Sequence, residues 1–155
     1  NIAFTSLWDN YPDSLQIPLQ GKASRAYLLM AGSTNHMQCH IDNGVIRVYY
    51  EDGTCDTLSL VNPDNWPPIE QIFFEDGKSF NRHAPSLYRL RLKTGELSNN
   101  FGEELGFTGV SREVDGGAAV LLEMSLNAGK KLSHLVLETL SNEVVIGIMG
   151  ITLQR

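Results

Sequence analysis

The chain has 155 residues, 42% hydrophobic and 19% charged, with a formal net charge of -6. That is enough for one domain with a substantial core and short for two. The acidic balance excludes the basic footprint that nucleic acids require. No apolar run reaches the length of a membrane span, and a mean hydropathy of -0.15 belongs to a folded chain.

In chain order, Leu15, Ile17 and Leu19 alternate before Gly21, and the mostly apolar run 25–31 ends at Gly32. Both read as strands. Met37 to Ile41 is a further short candidate, closed by a turn at Asp42-Asn43-Gly44. The run 45–60 reads as a β-hairpin whose loop follows from parity. A two-residue Asp52-Gly53 turn would put Leu58 opposite Arg47, on the face away from Ile46, Val48 and Tyr50. A three-residue loop of Glu51, Asp52 and Gly53 instead pairs Ile46 with Leu58. It also sets Gly53 where a left-handed residue is needed.

Further along, Tyr88, Leu90 and Leu92 alternate with Arg89, Arg91 and Lys93. This basic row, with Arg82 and His83 just before it, reads as a solvated outer face; a site for an acidic glycan is the functional alternative. Val120, Leu122, Met124 and Leu126 face inward on the next strand, and 132–140 follows. The run 143–153 is apolar at nearly every position. Its β-branched residues and glycines favour a strand covered on both faces over a helix. About eight short strands without a strong helix predict an all-β, two-sheet sandwich, a jelly roll. Three stretches depart from strand patterning: 6–13, 62–71 and 94–117.

A strand ending YLLMAGST, a strand with YYEDGT, a polar loop with a Trp, and the last pair KKLSHLVLETL and VVIGIMGITL together resemble a galactose-binding-like jelly roll. SLWDNYPDSLQIPLQGKAS, AYLLMAGSTNHMQ and NPDNWPPIEQ more narrowly resemble an uncharacterised C-terminal domain of large secreted glycoside-hydrolase-type proteins of gut bacteria. The resemblance implies a single β-sandwich domain over 1–155, taken from a longer multidomain chain that begins upstream of Asn1. It implies a secreted or periplasmic parent and an accessory role. Its partners would be the catalytic domain of the same chain and an oligo- or polysaccharide.

Trp8, Tyr11 and Trp66 are the residues suited to stack on sugar rings. Asp9, Asn10, Asn62, Asp64 and Asn65 lie beside them in sequence and can hydrogen-bond hydroxyls. The bland reading makes each aromatic a plug for the end of the sandwich, or part of an inter-domain contact. Cys39 and Cys55 sit in neighbouring candidate strands and read as small buried residues, with a disulfide as the alternative. His36 and His40 would share a strand face, but no third ligand for zinc is evident. A structural Ca²⁺ held by Asp, Asn and loop carbonyls suits such a sandwich better. No other cofactor is expected. Glu70, Glu75, Asp76, Glu103, Glu104 and Glu113 show no spacing that pairs two carboxylates across a cleft. Together with the absence of nucleophile-elbow, P-loop or dinucleotide motifs, this makes the domain non-catalytic by expectation. The rival is a segment that supplies substrate-contact or catalytic residues to the active site of its parent glycoside hydrolase, and a third reading is a purely structural domain.

Overall fold

A computed structural model describes residues 2–8, 10–35, 37–70, 83–100 and 114–155. Among these residues there are strands and no helix. The first five strands are β1 (Ala3–Ser6), β2 (Ser14–Pro18), β3 (Arg25–Thr34), β4 (Asp42–Tyr50) and β5 (Cys55–Val61). The rest are β6 (Tyr88–Arg91), β7 (Leu97–Ser98), β8 (Ala118–Ser125), β9 (Leu132–Thr139) and β10 (Val144–Gln154). They form two antiparallel sheets, ordered β1-β10-β3-β8-β6-β7 and β2-β9-β4-β5. The all-β two-sheet sandwich predicted from the patterning is the observed architecture.

The β4–β5 hairpin forms as parity requires. Ile46 pairs with Leu58, the Tyr50 amide donates to the Thr54 carbonyl at 2.9 Å, and Gly53 takes φ +82°. Ile46, Val48 and Tyr50 then point into the space between the sheets. There they meet Leu28 and Met30 of β3, Leu122 and Met124 of β8, Leu135 and Leu137 of β9, and Val144, Ile146 and Ile148 of β10. Each such aliphatic side chain contributes about 1.5–3 kcal/mol by leaving water. Leu15 and Ile17 of β2 pack on the rim of this core.

Four expectations change. Residues 37–41 make a single bridge, Cys39 to Asn62, rather than a strand. The expected turn at Asp42-Asn43-Gly44 is the start of β4, with a bulge between Asp42 and Gly44. Cys55 is exposed. It begins β5 at the hairpin end while Cys39 lies at the other end of β4, roughly 20 Å away along the strands, so the thiols are not joined. The fourth concerns the basic row. Arg89 is only 6% exposed whereas Tyr88 is 52% exposed. β6 extends the larger sheet beyond the edge of the smaller one, so its covered face is set by a loop rather than by the opposing sheet. The Arg89 guanidinium donates to the carbonyls of Pro68 (2.8 Å), Ile69 (3.2 Å) and Ala118 (2.8 Å), binding that loop to β8. Burial lowers its pKa to about 10, opposed by nearby Glu70, so it remains cationic at neutral pH. Arg91 and Lys93 pair with Glu96 and Asp115. Arg82 lies outside the described residues.

Candidate functional site

The strand order decides which loops meet. Ser6 lies opposite Val145 and Val144 opposite Thr34 in one sheet, while Thr139 lies opposite Gly44 in the other. Side chains join these strand ends across the sheets: Thr5 to Thr139 at 2.7 Å and Thr34 to Asn43 at 2.8 Å. The β1–β2, β3–β4, β5–β6 and β9–β10 connections therefore emerge at one end. The 51–54 turn, β2–β3 and β8–β9 lie at the other, where Glu51 bonds Lys131 and Leu132 bonds Gly21. Among the described residues, the sugar-facing candidates from the sequence, Trp8, Asn10, Tyr11, Asn62, Asn65 and Trp66, fall in loops of the first end.

Those candidates divide into two groups. Trp8 is 52% and Tyr11 45% exposed. Their ring centroids are 6.5 Å apart, and Phe4 of β1 meets Tyr11 edge-on at 5.3 Å. The loop carrying them is fixed by the Ser6 amide on the Pro12 carbonyl (2.9 Å) and the Tyr11 amide on the Trp8 carbonyl (3.2 Å). Asn10 is exposed and takes a left-handed φ of 78°, which Asn tolerates better than most residues. Asp9 lies outside the described residues.

Asn62, Asn65 and Trp66 are scaffold. Trp66 is 0% exposed and belongs to the core, so its ring has no face for a ligand. It lies against Gly32, where a Cβ would sit 2.8 Å from the Trp66 Cζ2. Asn65 spends its amide on the backbone, accepting from the Val61 N–H at 2.7 Å and donating to the Ser59 carbonyl at 2.8 Å. Asn62 is fully buried; its carbonyl accepts the His40 N–H at 2.7 Å and its Nδ2 donates to Cys39 Sγ.

Beside Trp8 opens a groove of about 300 Å³ lined by Ser33, Thr34, Asn35, Glu70, Glu143 and Val145. The Asn35 amide donates to the Glu143 carboxylate, leaving acceptor capacity on both groups. An aromatic wall facing hydroxyl, amide and carboxylate groups suits a ligand with C–H faces and many hydroxyls. Of these polar groups, Glu70 alone stood out in the sequence. Asn35, Ser33 and Glu143 carry no local motif, because strand pairing across β3 and β10 is what brings them together.

A second cluster lies in the same end. His40, Asp64 and His83 place one ligating atom each within 4.8 Å of one another. His36, its expected partner, lies outside the described residues. Neither the sequence spacing nor a single segment announces this trio, since it draws on the β3–β4 loop and both ends of the β5–β6 connection.

No family model, curated protein or solved structure matches the chain. No helix among the described residues is long and apolar enough to cross a membrane.

Proposed function

We propose that the protein is a non-catalytic accessory β-sandwich that binds carbohydrate through its β1–β2 loop, in a secreted or periplasmic glycan-degrading chain. The single observation behind this is the exposed Trp8–Tyr11 pair bordering a groove of polar, hydrogen-bonding side chains. A pyranose stacks one face on Trp8 and presents its edge hydroxyls to Asn35, Glu70 and Glu143. Tyr11 and Asn10 extend the contact to a second ring. The strand order supports a jelly-roll reading of the scaffold: β1-β10-β3-β8 faces β2-β9-β4-β5, with β1 to β4 and again β8 to β10 alternating between the sheets, and β6–β7 added at one edge. Such sandwiches carry binding function in the loops at one end.

The contact with a catalytic domain of the same chain is the second reading. It draws on Ile2, Phe4 and Leu7, which extend the aromatic pair into an exposed apolar patch. The two readings separate by experiment. Calorimetric titration with a panel of oligosaccharides should find a ligand whose binding is lost in Trp8→Ala and weakened about tenfold or more in Tyr11→Ala, with unfolding midpoints unchanged. If no sugar binds and both variants merely alter attachment to the catalytic domain, the patch is an interface and the carbohydrate reading falls.

A further inference from the structure

We propose that His40, Asp64 and His83 form a binding site for a divalent transition ion of the zinc class. The proposal does not rest on the carbohydrate reading. Its ground is convergence: three donors from separate stretches of chain, all within 4.8 Å. Tetrahedral zinc ligands lie roughly 3.3 Å apart, given Zn–N and Zn–O distances of about 2.0–2.2 Å. Two of the three donors are on exposed rings, so closing that gap needs only side-chain rotation.

The donors are also pre-oriented. The His83 backbone N–H donates to Asp64 Oδ1 at 2.6 Å, and Oδ2 lies 3.7 Å from His83 Nδ1. One carboxylate oxygen is thus held by the backbone while the other faces the imidazoles, the arrangement that supports metal-binding carboxylates. His40 is held at φ 56° with its N–H on the Asn62 carbonyl. A left-handed non-glycine residue carries strain that the surroundings must sustain. Here the buried Asn43 amide does so, donating to the carbonyls of Gln38 (3.0 Å) and Ile41 (3.3 Å) on either side of His40. The two imidazole rings lie 4.6 Å apart at 33°.

Two imidazoles and one carboxylate suit Zn²⁺, Co²⁺ or Ni²⁺ rather than Ca²⁺ or Mg²⁺, which prefer all-oxygen shells. The side chain of His83 is 66% exposed. Three protein ligands thus leave a fourth position toward solvent, open to water or to an oxygen of a bound ligand. The ion would tie the β3–β4 loop to both ends of the β5–β6 connection.

The test is titration of the chelator-treated protein with ZnCl₂ by calorimetry and thermal melting, with CaCl₂ in parallel. About one equivalent of Zn²⁺ should bind and raise the melting temperature, reversibly on adding chelator, while Ca²⁺ produces neither effect. His40→Ala, Asp64→Asn and His83→Ala should each weaken Zn²⁺ binding by at least about tenfold, the loss that even a residue supporting a ligand causes. Their metal-free melting temperatures should stay at the wild-type value; if one variant fails to fold, the other two decide. Absence of a Zn²⁺ effect on the wild type overturns the proposal. So does Zn²⁺ binding of undiminished affinity in the folded variants.

Discussion

Arg89 and Trp66 show how a single side chain is assigned its role by distant chain. Arg89 sits in an alternating row that reads as solvent-facing, yet its guanidinium meets three carbonyls, two of them from the 66–70 segment. Charged hydrogen bonds are worth about 1.5–3 kcal/mol each, and the orphaned carbonyls add a penalty. Arg89→Met keeps much of the stem and removes the head; we expect it to lower stability by about 2–4 kcal/mol in urea unfolding. A loss below about 0.5 kcal/mol would mean that the carbonyls find other partners. The two tryptophans were indistinguishable in sequence, each set among Asn, Asp and Pro. What separates them is Gly32, far from both, whose missing side chain gives the Trp66 ring its place. Trp8 has no such counterpart and stays outside.

Among elements, the β4–β5 hairpin was fully legible and β6 was not. In the hairpin, covalent periodicity and one left-handed glycine settle register and facing without reference to the rest of the fold. β6 lies beyond the smaller sheet, so period-two alternation identified its two faces but not the one that would be covered. The candidate site follows the same logic. Its aromatic half was visible as residue types within one loop, while Asn35, Glu143 and the His40–Asp64–His83 trio depend on which loops the topology brings together. Two glycines make the contrast measurable. A Cβ at Gly53 meets nothing within 4 Å, so Gly53→Ala carries only backbone strain, about 1 kcal/mol. A Cβ at Gly32 would lie 1.9 Å from the Val145 carbonyl oxygen as well as against Trp66. Gly32→Ala should cost about 1–3 kcal/mol or more by forcing β3 and β10 apart. Equal unfolding midpoints for the two variants would contradict this account.

For the molecule as a whole, the two ends carry different work. The hairpin end is a structural clasp. Tyr50 donates to Asp56 and accepts the Asn127 amide at 2.7 Å, joining the turn to the β8–β9 connection. Burial, then the Asp56 hydrogen bond, pushes the Tyr50 hydroxyl up to about 12. Between about pH 10 and pH 12 the unfolded chain has lost that proton and the folded one keeps it. The stabilisation is therefore complete below pH 10 and disappears as pH rises through 12. Arg89 acts with the opposite sign over the same range, because burial depresses its pKa. The quantity to follow is thus the stability difference between wild type and Tyr50→Phe. It should shrink above pH 10 by up to about 1 kcal/mol per pH unit, and a difference constant to pH 12 would refute the assignment. The pairing of β1 with β10, Ala3 opposite Ile148, bears on kinetics as well. The larger sheet gains its β1 edge only when residues 3–6 find residues 145–148, a long-range search whose entropy precedes any reward. Such a chain is held to folding times of milliseconds to seconds. Until the search ends, the edge of β10 that β1 covers stands open, and a second copy of the chain can compete for it.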